Sequence, residues 1–96
     1  MVRQLINNRG NYAANQFVIT ANGATYFQSY TSVVAKIQNG NVYISTNWDY
    51  SRTTSKHLYI FLAQQGYSHL CSAKDMRKAI KDGEVILIET SSLSMD

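Results

Sequence analysis

Hydroxyl and basic side chains are concentrated in the stretch NWDYSRTTSKHLYIFL, residues 47–62. Three hydroxyl groups and two cations stand close together there, on Ser51, Arg52, Thr53, Thr54 and Lys56. Hydroxyls, a guanidinium group and the free backbone N–H groups of a helix start are groups that bind phosphate in proteins. The same hydroxyls can instead cap the first turn of a helix without any ligand. The stretch therefore predicts either an anion-binding end or a purely structural helix cap.

A second basic group follows about twenty residues later. Its four cations are Lys74, Arg77, Lys78 and Lys81, among which the spacings of three and four recur. On a helix this spacing places them along one face, although Asp75 and Asp82 dilute the charge. If this stripe lies on the same side as Arg52 and Lys56, the two groups form one patch that could bind nucleic-acid phosphates. Otherwise the stripe is simply a solvated helix face.

Three tyrosines, Tyr26, Tyr30 and Tyr43, fall in segments with the pattern of strands. Exposed tyrosines on a sheet can stack on unpaired bases or anchor a protein partner. Tyrosines in strands are also common as cross-strand packing pairs. We expect these three to form a partner surface.

Catalytic chemistry finds little support in the sequence. His57, His69 and Cys71 are present, but no glycine-framed nucleophile, HExxH, Walker loop or GxGxxG accompanies them. A single cysteine cannot form an internal disulfide, and His69 with Cys71 supplies too few ligands for zinc. We therefore expect a protein that is not an enzyme and that has no metal site and no cofactor.

Two Asn-Gly pairs, Asn22-Gly23 and Asn39-Gly40, are the strongest hairpin signals in the chain. They predict two hairpins, whose strands lie at about 16–21, 24–30, 31–37 and 41–46. Phe27 belongs on the buried face by its size, and Tyr26 lies on the opposite one. Of the next strand, Val33, Ala35 and Ile37 are expected to share one face.

Two helices are predicted from apolar spacing and end signals. The first runs from Ser51 or Thr53 to Gln65, with an apolar stripe of Leu58, Phe61 and Leu62 and a stop at Gly66. The second begins after Ser72 as N-cap and ends at Gly83, and residues 84–89 then read as a short strand at an edge of the sheet or across it.

These elements predict an α+β domain: a four-stranded antiparallel meander of two hairpins, covered by two helices, with a short C-terminal strand. Residues 1–15 are expected to form an irregular arm, 16–90 the single domain and 91–96 a frayed tail. Ninety-six residues that are 45% hydrophobic suffice for one core. No apolar run approaches the roughly 20 residues of a membrane helix, and no signal peptide is evident, so we expect a soluble protein without membrane contact.

Three stretches, YFQSYTSVVAKI, NWDYSRTTSKHLYIFL and MRKAIKDGEVIL, carry a resemblance to a known family. In this order and spacing they resemble short, functionally uncharacterised proteins encoded by bacteriophages and mobile elements. The likeness covers about residues 16–88, and WDYSxTTxKxLxxFL is its most specific part; QQGYSHLCSA departs from the pattern as an insertion. The resemblance implies a phage or mobile-element setting, in the cytoplasm of a host bacterium, and implies no activity.

Two classes of function fit this sequence. The first is stoichiometric binding to a host protein or nucleoprotein, as an inhibitor or adaptor, for example against host defence. The second is direct nucleic-acid binding through the basic residues. The net charge of only +3 favours the first class. An exposed strand edge could add homodimerisation to either.

Overall fold

Six strands form one sheet, with two helices inserted before the last strand. The computed structural model describes residues 1–89 and Leu93. Its elements are β1 (Val2–Ile6), β2 (Tyr12–Ala21), β3 (Ala24–Ser29), β4 (Ser32–Gln38), β5 (Asn41–Ser45), α1 (Arg52–Gln64), α2 (Ala73–Lys81) and β6 (Val85–Ile88). The strands lie side by side in chain order. The first five are antiparallel, and β6 pairs with β5 in parallel after both helices. The α+β class is confirmed.

Tight turns join consecutive strands of the meander. Asn22-Gly23 and Asn39-Gly40 have positive φ at both positions, at 54° and 76° in the first pair and 54° and 78° in the second. These values are those of a type I′ turn, whose twist matches that of the flanking strands. Both predicted hairpins are therefore confirmed. A third two-residue turn, Tyr30-Thr31, joins them.

The N-terminal segment is a strand, so the prediction of an irregular arm over residues 1–15 is wrong. β1 lies along β2, with Val2 opposite Ile19, and β2 itself begins at Tyr12. Leu5 is fully buried in the core. Pairing along the free edge of β2 and the burial of Leu5 stabilise a strand whose other four residues are exposed. The predicted tail over 91–96 lies outside the described residues except for Leu93, which is buried.

Both helices begin and end at the predicted signals. The Thr54 N–H donates to Ser51 Oγ at 3.1 Å at the start of α1, and the Asp75 N–H donates to Ser72 Oγ at 3.1 Å at the start of α2. These bonds satisfy backbone donors that a helix start leaves without partners. Gly66 follows α1 with a φ of 95°, a left-handed conformation that ends helices readily.

The main core lies between the helices and one face of the sheet. Phe27 of β3 stacks on Phe61 of α1, with ring centroids 5.5 Å apart. A register shift between Phe27 and Gln28 leaves Val34 without a direct partner on β3, so that Val34 and Ala35 both enter this core. The prediction that Val33 shares a face with Ala35 is wrong, because this bulge turns Val33 to the other side of the sheet.

The opposite face of the sheet is built from strand residues. One cross-strand row runs through all six strands: Val2, Ile19, Tyr26, Lys36, Tyr43 and Ile86. We call this side the second sheet face. A small buried cluster of Ile19, Ala24 and Tyr26 holds its centre, with Phe17 and Val33 packed beside it. Among the described residues, this cluster contains no helix residue.

Candidate binding surfaces

A cleft of about 310 Å³ opens where the β3–β4 turn, the end of β5 and the start of α1 meet. We call it the hydroxyl cleft. Its lining residues are Ser29, Tyr30, Ser32, Val33, Val34, Ser45, Asn47, Tyr50, Ser51 and Thr54. None of these side chains carries a charge, and five of them end in an aliphatic hydroxyl. The cleft is thus polar and uncharged.

Hydrogen bonds between hydroxyls bind the start of α1 to the sheet at the floor of this cleft. Ser51 Oγ donates to Thr54 Oγ1 at 3.1 Å, and the hydroxyls of Thr54 and Ser29 lie 3.3 Å apart. Thr54 and Ser29 are both buried. Ser51 is therefore the N-cap of α1, as one of the two sequence interpretations expects, and Thr54 connects α1 to β3, which was not predicted. Thr53 is exposed and does not line the cleft.

Two tyrosine rings stand at the hydroxyl cleft. The side chains of Tyr30 and Tyr50 are 56% and 84% exposed. Tyr30 has a φ of 57°, a left-handed conformation that bulky residues rarely adopt. Its N–H donates to the Asn15 carbonyl and its carbonyl accepts from Gln28 Nε2, each at 2.7 Å. These two bonds hold the backbone of Tyr30 in place beside the cleft.

A second cleft, of about 300 Å³, lies between the β1–β2 turn and the outer face of α1. It is lined by Asn7, Asn8, Arg9, Lys56 and Ile60. We call it the basic cleft, because two cations and no carboxylate line it. Sequence reasoning missed Arg9, although residues 1–48 contain no Asp or Glu at all, which was an available signal.

Arg52 lies one helical turn before Lys56 and is exposed, as Lys56 is. Residues four apart share one face of a helix, so these two cations form a short stripe on α1 that leads to the basic cleft. Within the described part of the chain, neither of them nor Arg9 has an ion-pair partner within 4 Å. These three cations are therefore available to a negatively charged partner.

The basic stripe on α2 differs from the stripe on α1, because carboxylates lie beside it. The Arg77 guanidinium lies 5.8 Å from the centroid of the Trp48 ring and 3.7 Å from an Asp49 carboxylate oxygen. Arg77 thus fastens α2 to the segment before α1. Lys78 lines a groove whose other members include Asp75, Asp82 and Glu84. Lys74 and Lys81 are exposed. Carboxylates consequently offset much of the positive charge of α2.

The three predicted tyrosines do not form one surface. Tyr26 and Tyr43 lie in the same row of the second sheet face, and Lys36 Nζ sits 5.8 Å and 5.9 Å from their ring centroids. Tyr26 is only 3% exposed, whereas Tyr43 is half-buried. Tyr30 stands apart at the hydroxyl cleft. Tyr43 and Lys36 are half-buried, and the two ends of the row, Val2 and Ile86, are exposed.

The histidine and cysteine residues before α2 are paired with carboxylates. His69 Nε2 lies 2.7 Å from Glu84 Oε2. The Cys71 thiol donates to Asp75 Oδ2 at 3.3 Å, and this bond raises the pKa of Cys71. Ser72 Oγ donates to the same carboxylate at 2.8 Å, which is the main reason that the pKa of Asp75 is lowered. A thiol with a raised pKa is a poor nucleophile at neutral pH.

The described residues contain no group of three or more His, Cys, Asp or Glu side chains that could hold a metal ion. In the same part of the chain, neither helix has both the length and the apolar character that crossing a membrane requires.

The model of a family of unknown function, DUF8033, matches residues 1–83. The chain belongs to this family. DUF8033 membership agrees with the resemblance to an uncharacterised family and extends it over the N-terminal strand. No curated protein and no solved structure matches the chain. All residues that line the hydroxyl cleft and the basic cleft of this DUF8033 protein lie inside the matched range.

Proposed function

We propose that this DUF8033 chain is a non-enzymatic, stoichiometric binding protein. In a phage or mobile-element setting it docks on a host protein or nucleoprotein in the bacterial cytoplasm, as an inhibitor or adaptor. The observation that supports this proposal is the second sheet face, where Tyr43 and Lys36 lie between the exposed apolar residues Val2 and Ile86.

The composition of this face suits protein binding. Tyrosine is enriched in interfaces, because its ring offers apolar area and its hydroxyl a hydrogen bond. Lys36 is held near two rings, so its charge and the Tyr43 ring are presented in a defined arrangement. Little side-chain entropy remains to be lost on docking, which favours affinity. β1 and β6 are the edge strands, and homodimerisation through either edge stays part of the proposal.

Affinity capture from a bacterial host lysate, with and without nuclease, tests the docking surface. The double variant Tyr43→Glu, Ile86→Glu should lose a partner that the wild-type protein retains at about one-to-one stoichiometry. Ala63→Glu on the exposed side of α1 adds a carboxylate elsewhere and should retain it. Equal capture by the wild type and the double variant would show that the partner does not use this face.

Direct nucleic-acid binding is the second candidate, and a specific observation favours it. Within the described residues, Arg9, Arg52 and Lys56 have no ion-pair partner. Arg9 and Lys56 line the basic cleft, and residues 1–48 contain no Asp or Glu. Clustered cations without carboxylates attract phosphate backbones and release bound counterions when they meet them.

Fluorescence anisotropy with labelled single-stranded DNA, duplex DNA and RNA over a salt series tests this candidate. The double variant Arg9→Gln, Lys56→Gln should bind duplex DNA more weakly, with a slope of log affinity against log salt that is smaller by about 1.8. Lys74→Gln with Lys81→Gln removes the same charge from α2 and should change the slope less. Equal slopes for the two double variants would leave the basic cleft without a special role.

A further inference from the structure

We propose that the hydroxyl cleft binds a single unpaired nucleobase, stacked against Tyr30. This inference goes beyond the proposed function, since docking through the second sheet face does not require the cleft. It names a ligand class for residues that sequence reasoning had assigned to helix capping or to phosphate. The argument rests on the backbone of Tyr30 and on the chemistry of the cleft walls.

Three two-residue turns join β2 to β5, and the first and third are Asn-Gly pairs, whereas the second is Tyr30-Thr31. The first turn residue has positive φ in all three, at Asn22, Tyr30 and Asn39. Asparagine tolerates this conformation because its short side chain bonds to the nearby backbone, whereas a large side chain is strained there. Tyrosine is therefore a costly choice for the turn itself. Burial of the ring does not compensate for this strain, because the Tyr30 ring is exposed at the cleft.

Strain that the surroundings maintain at an exposed aromatic residue points to a role for the side chain. The Asn15 carbonyl and the Gln28 amide both hydrogen-bond the Tyr30 backbone, so the backbone is held in place and the exposed ring lines the cleft. Tyr50 provides a second exposed ring there. Exposed aromatic rings are the usual platforms on which unpaired bases stack.

The walls of the cleft match the edge of a base. The Ser32 hydroxyl is exposed and can donate or accept a hydrogen bond, and the half-buried Ser51 hydroxyl can accept one, whereas the hydroxyls of Ser29, Ser45 and Thr54 are buried. A base edge carries donors and acceptors side by side, so such a wall can pair with it. Val33, which is half-buried, supplies apolar contact for the ring face. A volume near 310 Å³ is at the small end for ligand pockets, which fits one ring system with its sugar.

Titration of the full chain with nucleoside monophosphates and with a five-nucleotide single-stranded DNA, followed by NMR and calorimetry, tests the proposal. Wild-type protein should bind with shifts at residues of the cleft. Similar affinity for mononucleotides and the oligonucleotide identifies a free nucleotide as the ligand. Tighter, salt-dependent binding of the oligonucleotide identifies a base within a strand. Binding of neither probe overturns the proposal.

Tyr30→Asn is the decisive variant, because it gives this turn the first residue that the other two turns have. We expect binding to weaken by roughly tenfold or more. We also expect the melting temperature to stay equal or rise by a few degrees as the strain is relieved. Tyr12→Asn, which changes another exposed tyrosine, should bind like wild type.

Unchanged binding by Tyr30→Asn would overturn the proposal. A clear fall in its melting temperature would do so as well, because Tyr30 would then be a structural residue. Neither outcome affects lysate capture through Tyr43 and Ile86, so the failure of this inference and that of the proposed function are distinguishable.

Discussion

Replacing Gln16 by methionine should make the protein more stable. Gln16 is fully buried, and its Oε1 has no hydrogen-bond partner among the described residues. Its Nε2 donates to the Ala14 carbonyl at 3.5 Å, which is at the limit of a hydrogen bond. A buried acceptor without a partner costs about 1–3 kcal/mol, and the long amide bond returns less than about 1 kcal/mol. Methionine has the same unbranched shape and no strong polar atom.

The expected gain is therefore about 1 kcal/mol in the free energy of unfolding, or roughly 4–8 °C in melting temperature for a domain of this size. Calorimetry and urea denaturation of wild type and Gln16→Met measure it, and an unchanged m-value would show that stability alone has changed. Gln38→Met, at a half-buried position, is the matched control and should change stability by less than about 0.5 kcal/mol. If Gln16→Met is less stable than wild type by about 1 kcal/mol or more, the reasoning about its amide is wrong.

Three further predictions follow from side-chain contacts. Because the Ser72 hydrogen bond lowers the pKa of Asp75, Asp75→Asn should be less stable than wild type at pH 7; this difference should shrink as the pH falls below about 4, the ordinary pKa of aspartate, and be lost once the pH lies below the lowered pKa of the folded protein, as denaturation at several pH values would show. Phe61→Ala removes a fully buried ring from the core and should cost about 3–5 kcal/mol in urea denaturation. Arg77→Gln should increase the fluorescence change of Trp48 on mild heating, since the contact that holds α2 to this ring is lost, whereas Lys81→Gln should not.

Local signals in the sequence were enough to predict most of the helices and strands. The Asn22-Gly23 and Asn39-Gly40 pairs need only their own backbone preferences to specify a turn. The hydroxyls of Ser51 and Ser72 need only the next helical turn to cap it. Hairpins and helices of this kind are decided by residues within a few positions of one another, which is why the α+β class could be predicted.

The features that sequence reasoning missed depend on residues far apart in the chain. β1 is a strand because β2 offers it an edge and the core accepts Leu5, and neither fact is visible in VRQLI itself. Arg9 and Lys56 meet in one cleft only after the sheet places the first turn beside α1. The bulge at Val34 and the turn at Tyr30 lack a glycine to mark them. Burial of Tyr26 likewise depends on neighbours from other strands.

The parallel pairing of β6 with β5 has a consequence for the order of folding. Strands β1 to β5 are joined by short connections, so their pairings close small loops at little entropic cost. β6 can reach β5 only after residues 46–84, with both helices, have come together over the sheet. During synthesis the antiparallel strands can therefore assemble before β6 leaves the ribosome. Until β6 arrives, β5 presents an open edge, and an open strand edge is a site at which chains can pair and aggregate.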